Sequence, residues 1–190
     1  MHLVLLGAPG AGKGTQSAVL AKHFGIMHVS SGALLREQVT AGTEFGLQVS
    51  GLLDRGELVP DDLLFAVVRE VLGTAVNGYV LDGIPRSLAQ AERADELARP
   101  TGSFADAVIY LDVPDDVVRE RLTHRNTDSS RVDDDPTVVE HRLEVFHAAM
   151  QPILDYYQQR DILEIVDGTG PADTVSGAVL EALSNRGLRG

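Results

Sequence analysis

Leu3-Val4-Leu5-Leu6-Gly7-Ala8-Pro9-Gly10-Ala11-Gly12-Lys13-Gly14-Thr15-Gln16 decides the fold of this chain. An apolar run enters a glycine-rich turn, and residues 13–24 then take helical periodicity. The order is strand, loop, helix, and the loop is built to hold phosphate. Glycines let the backbone aim successive N–H groups inward, the helix N-terminus adds positive potential, and the Lys13 ammonium can reach terminal phosphate oxygens. Thr15 offers a hydroxyl to magnesium. The strict pattern has Ser or Thr directly after Lys, whereas here Gly14 intervenes, so the loop is a variant. Thr15 also stands where the last glycine of the dinucleotide fingerprint GxGxxG belongs, which argues against an NAD enzyme.

Further β-like apolar runs at 26–29, 79–81, 107–111 and 162–166 join the first at 3–6. Helical periodicity covers 13–24, 31–40, 45–54, 61–72, 88–97, 114–124, 136–160 and 172–184. Short apolar strands alternating with helices predict an α/β fold, a five-stranded parallel sheet covered on both faces. Three helices and no strand separate the second and third strands, so residues 30–59 read as a small excursion from the sheet. The polar stretch 126–136, NTDSSRVDDDP, reads as a loop between two helices.

Composition narrows the function. The 190 residues suit one domain, and 16 Lys plus Arg against 28 Asp plus Glu leave a net charge of −12, which argues against nucleic acid or an anionic membrane as partner. No apolar run approaches the ~18 residues of a membrane span, and 3–6 is too short for a signal-peptide core. A cytoplasmic protein is expected. The absence of cysteine removes disulfides, thiol catalysis and cysteine-based zinc sites.

Candidate functional residues follow from position. Asp82 ends the strand 79–81 beside the phosphate loop, where parallel sheets bind ligands, and can hold magnesium through water. Arg121 and Arg125 share one helix face, Arg131 lies in the polar stretch, and Arg142 follows on the next helix. Together they can neutralise a polyphosphate that an acidic protein otherwise repels. A solvated face paired with Glu120 and Asp133–Asp135 is the competing explanation. The six histidines show no metal-ligand spacing, no GxSxG occurs, and the histidines carry no assigned role.

With these motifs in hand the chain resembles the adenylate kinase family, in its short form, over nearly its whole length. GAPGAGKGTQ (7–16), SSGALLR (30–36), GELVPD (56–61), DGIPRSLAQ (82–90), RLTHR (121–125), RVDD (131–134) and HRLEVF (141–146) carry the likeness. The resemblance implies a sheet ordered 2-3-1-4-5, a core of 1–29, 60–124 and 137–190, an AMP-binding segment at 30–59 and a short, zinc-free lid at 125–136. The implied reaction is reversible phosphoryl transfer from MgATP to AMP, giving two ADP, in a monomer. Gly10, Ala11, Gly12, Lys13, Gly14 and Thr15 would cradle ATP phosphates, with Arg121 and Arg125 closing over ATP and Gly170 near its adenine. Ser31, Arg36, Glu57, Leu58, Val59, Gly83, Ile84, Pro85, Arg86 and Gln90 would bind AMP, Gln90 facing the adenine edge. Lys13, Arg86, Arg121, Arg125, Arg131 and Arg142 would carry catalysis, Arg86, Arg131 and Arg142 lying around the AMP phosphate and the transferring group. Thr15 and Asp82, the latter through water, would hold magnesium.

Two alternatives are weaker. Pyrimidine nucleoside-monophosphate kinases look similar but tend to carry Ala where Ser31 sits and Asn where Gln90 sits. A GTP-dependent switch needs Asn-Lys-x-Asp, and neither Lys13 nor Lys22 follows an Asn. One departure stands out: the family usually reads Ser-Thr-Gly-Asp where this chain reads Ser30-Ser31-Gly32-Ala33, so a carboxylate expected near the magnesium waters is missing.

Overall fold

Successive side chains of a strand point to opposite faces of its sheet, and the first strand, β1 (His2–Gly7), uses both faces. Leu3 and Leu5 enter one hydrophobic cluster, Val4 and Leu6 the other. A strand apolar on both faces belongs in the middle of a parallel sheet. The computed structural model puts it there, and describes residues 1–129 and 135–190, with only the course of the helix for 125–129. Around β1 lie β2 (Met27–Ser30), β3 (Tyr79–Asp82), β4 (Ala107–Asp112) and β5 (Leu163–Asp167), in the order β2-β3-β1-β4-β5. Every pairing is parallel, and the expected order 2-3-1-4-5 is borne out.

The described helices are α1 (Lys13–Phe24), α2 (Ser31–Thr40), α3 (Glu44–Asp54), α4 (Asp61–Leu72), α5 (Leu88–Ala98), α6 (Asp115–Ser129), α7 (Pro136–Gln158) and α8 (Ala172–Asn185). Leu20 of α1, Val118 and Leu122 of α6 and Val179 of α8 cover the face carrying Leu3 and Leu5. Leu35 of α2, Leu64 of α4 and Ile153 of α7 cover the other. Side-chain caps start α2, α3, α5 and α7, from Ser30, Thr43, Ser87 and Asp135.

One expectation is corrected. The helix expected to stop at 124 continues to Ser129, so residues 126–129 of the anticipated loop are helical. Arg, Asn, Thr and Asp lower helix propensity only by fractions of a kcal/mol each, and no Pro or Gly interrupts the run. Below it, Arg119 donates to both carboxylate oxygens of Glu140, and His147 lies 2.9 Å from Asp115, tying α6 to α7.

The excursion between β2 and β3 depends on a close crossing of α2 and α3. At Gly46 a β-carbon would stand 2.1 Å from the backbone oxygen of Gln38, and backbone cannot step aside. Gly46→Ala is therefore expected to push α3 off α2 and lower stability by about 1–3 kcal/mol. Thermal melting measures the loss, and hydrogen exchange should place it in 30–59 before the sheet.

Candidate active site

Parallel register brings three strand ends together. Leu5 of β1 pairs with Asp82 of β3, and Asp82 pairs with Ser30 of β2. The loop after β1 therefore emerges beside the β3 carboxylate and the start of α2. It turns sharply at Gly10, whose φ is +84° and whose β-carbon position lies 2.8 Å from Cγ of Leu122. Only glycine satisfies both conditions. Gly12 then caps α1 without any side-chain bond, and no acidic residue occupies the first turn, so the N–H groups there remain available to an anion. Lys13 bends back over the loop, Nζ donating to the carbonyls of Gly7 and Ala8, each at 2.8 Å.

The loop floors an open cleft of about 750 Å³. Among the described residues its lining holds five cations, Lys13, Arg36, Arg86, Arg121 and Arg142, and a single carboxylate, Asp82. In a chain of net charge −12 that inversion selects an anionic ligand. Asp82 is buried, and burial alone would push its carboxyl up; the His28 ring 3.8 Å away and the charges of Lys13 and Arg86 outweigh that and hold it below the usual carboxylate range. At 3.8 Å the histidine contact is electrostatic rather than a hydrogen bond. The Asp82 Oδ2 lies 3.6 Å from where a β-carbon on Gly14 would sit, at the turn into α1.

Two hollows adjoin the cleft. One, of about 200 Å³, is lined by Arg36, Val39, Leu53, Gly56 and Glu57, and the other by Leu58, Pro85 and Phe146. Arg86 and Arg142 line both hollows and the main cleft. Gly56 lets the end of the α2–α3 segment rest on α7, since a β-carbon there would lie 2.7 Å from Cγ of Arg142.

Most residues singled out in the sequence come together. Gly10, Ala11, Gly12, Lys13, Gly14, Thr15, Arg36, Asp82, Gly83, Arg86, Arg121, Arg142 and Gly170 line the main cleft. Glu57, Leu58 and Pro85 line the hollows, while Val59 and Ile84 are core residues. Ser31 is buried under the floor, its hydroxyl donating to the Asp82 carbonyl at 3.2 Å. Arg121 Nη2 donates to the carbonyls of Gly168 and Thr169, 2.9 Å each, and so ties α6 to the loop before α8. Gln90 is only 1% exposed and lines no part of the cleft. The Arg125 side chain and Arg131 lie outside the described residues. Sequence reasoning gave His28 no role, yet it lines the cleft beside Asp82. Its signal was place rather than spacing: it shares a strand face with Ser30, two residues on, at the ligand end of the sheet.

A glycine-rich loop at the carboxyl edge of a 2-3-1-4-5 parallel sheet, in a cation-lined cleft, places the chain among P-loop proteins that bind nucleoside phosphates. The family profile for adenylate kinase matches residues 5–162. Adenylate kinase of Stenotrophomonas maltophilia is 40% identical over 185 residues, 96% of this chain and 99% of the relative. Those of Xylella fastidiosa strain 9a5c and Xanthomonas euvesicatoria are 44% and 43% identical over the same shares. The chain belongs to the adenylate kinase family.

Gly10→Ala is expected to displace Leu122 and strain the turn, lowering stability by about 1–3 kcal/mol and raising KM for the nucleotide at the loop. Steady-state kinetics alongside thermal melting separates the two effects.

Proposed function

We propose that the chain transfers the terminal phosphoryl of MgATP to AMP, reversibly, yielding two ADP. The observation that carries this reading is the position of Arg86 and Arg142, which line the phosphate-loop cleft and both adjoining hollows. A group passing between two nucleotides would pass between those guanidinium groups. The donor phosphates lie over residues 10–15 in this reading, with Arg121 and Gly170 at the donor's side. AMP takes the hollow of Arg36 and Glu57 and the adjoining one of Leu58, with Val59, Ser31 and 83–86 behind it and Gln90 buried beneath, to be reached by its adenine. An acceptor phosphate oxygen bonds to the γ-phosphorus as the bond to the β–γ bridging oxygen breaks, and ADP leaves with that electron pair. Lys13, Arg86, Arg142 and the arginines of the 125–136 lid, Arg125 and Arg131, hold the charge that develops on the transferring group. No protein nucleophile is required.

Magnesium fits the residues present. Thr15 and Asp82 supply hard oxygen donors, the carboxyl is held ionised, and no cluster of three metal-ligating side chains occurs among the described residues. That set suits a hydrated ion carried largely by substrate phosphates. When bound, the ion offsets charge on the β- and γ-phosphates. Ala33 lines the cleft without a carboxylate, so among the described lining residues Asp82 would accept from the ion's waters. The reading places the protein in the cytoplasm as a monomer without membrane or nucleic-acid partners. No described helix is long and apolar enough to cross a membrane.

A coupled assay of ADP formation with AMP, UMP, CMP and GMP as acceptors tests the reading. AMP should be used best, and equal use of UMP or CMP would overturn the acceptor assignment. Lys13→Met should lower kcat by about 100-fold or more with melting unchanged, because its ammonium acts on transition-state charge. Activity within ten-fold of the parent would remove Lys13 from the mechanism.

A further inference from the structure

Gln90 is a buried amide whose hydrogen-bonding capacity is half used. It is 1% exposed. Oε1 accepts from the Arg86 N–H at 2.7 Å, and Nε2 donates to Oδ1 of Asp61 at 2.7 Å. A primary amide offers two N–H groups and two lone pairs on oxygen, so one of each is left over. An adenine edge asks for that pair, a donor facing its ring nitrogen and an acceptor facing its 6-amino group.

Helix capping explains only part of the arrangement. Ser87 caps α5 by accepting from the Gln90 N–H at 3.1 Å, and a Gln at this place reaches back toward the start of the helix. That accounts for the direction in which Oε1 reaches, though it meets the N–H of Arg86 rather than that of Ser87, and says nothing about Nε2. The second contact comes from another element, since Asp61 opens α4, 29 residues earlier in the chain. A carboxylate only accepts, so Asp61 compels the nitrogen end of the amide to face it, while the Arg86 N–H compels the oxygen end to face the other way. The amide cannot exchange its ends without setting oxygen against oxygen on one side and N–H against N–H on the other.

We infer that Asp61 is a positioning residue which fixes the Gln90 amide in one orientation and so sets the choice of a 6-aminopurine acceptor over a 6-oxopurine. The inference rests on the reading of Gln90 as the contact to the acceptor base. A 6-oxopurine presents the opposite polarity, an acceptor at position 6 and a donor at position 1, and meets the fixed amide wrongly at both atoms. Arg86, whose N–H holds the oxygen end, also lines the transfer site, so base recognition and phosphate contact share one backbone turn.

The test compares AMP with inosine monophosphate as acceptors at saturating MgATP, in Asp61→Asn, Asp61→Ala, Asp61→Glu, Asp62→Ala and Gln90→Ala chains, with a melting curve for each. Asn can donate as well as accept, so the wrong amide orientation is then opposed on one side only. The AMP-to-inosine ratio of kcat/KM is expected to fall about ten-fold in Asp61→Asn and Asp61→Ala, through KM for the acceptor, with KM for ATP within two-fold of the parent. Asp61→Glu, still accept-only, should hold the ratio closer to the parent than Asn does. Asp62→Ala removes a neighbouring charge from the same first turn of α4 and should leave the ratio unchanged. A ratio unmoved in both Asp61→Asn and Asp61→Ala, while Gln90→Ala collapses it, would overturn the role of Asp61 alone. An equal fall in Asp62→Ala would assign the effect to charge at the helix terminus and overturn it likewise. A ratio unmoved in Gln90→Ala would overturn the base contact itself, and the inference with it.

Discussion

In-register parallel pairing of β1 with β3 is the constraint on which the rest depends. Because Leu5 stands opposite Asp82, and Asp82 opposite Ser30, a phosphate loop, a buried carboxylate and the start of α2 emerge side by side. A one-residue slip would exchange the faces on which Leu3, Leu5, Val4 and Leu6 pack, so the fit of each side chain in its own cluster, rather than the apolar pattern alone, holds the register. The geometry of the cleft is thus held by the core beneath it. Loops contribute the chemistry, but the sheet decides where each loop begins.

Electrostatics follows from that placement. The chain is strongly acidic overall, yet among the described residues five cations meet one carboxylate where the strands end. Against that acidic surface, the cleft's positive charge favours a small polyphosphate. Asp82 remains ionised despite burial because the positive groups around it outweigh the desolvation cost. Lys13, folded onto two carbonyls of its own loop, sits where incoming phosphate oxygens would compete for its protons.

The fold was legible because its signals are local. Apolar runs and helical periods marked all five strands, and α1, α2 and α4 begin and end where the pattern placed them. α6 was misjudged beyond 124 because polarity was read as loop, whereas polar residues also build solvated helix. At the site, the phosphate loop and Asp82 announced themselves through residue type and neighbours. His28, Gly46 and the Asp61 contact to Gln90 did not, since each matters through an approach between segments distant in the chain or through a place on a strand face. Gln90 was expected at the acceptor base, but its burial and its two internal partners belong to tertiary packing that no motif displays.

In the proposed reaction one site holds two nucleotides and passes a phosphoryl group directly between them rather than to water. ATP labelled in its γ-phosphate, incubated with the protein, magnesium and AMP, tests this most directly. Label should appear in the β-phosphate of ADP, with one labelled and one unlabelled ADP per turnover and none on the protein. Label released as inorganic phosphate at a comparable rate, or retained covalently on the chain, would contradict it.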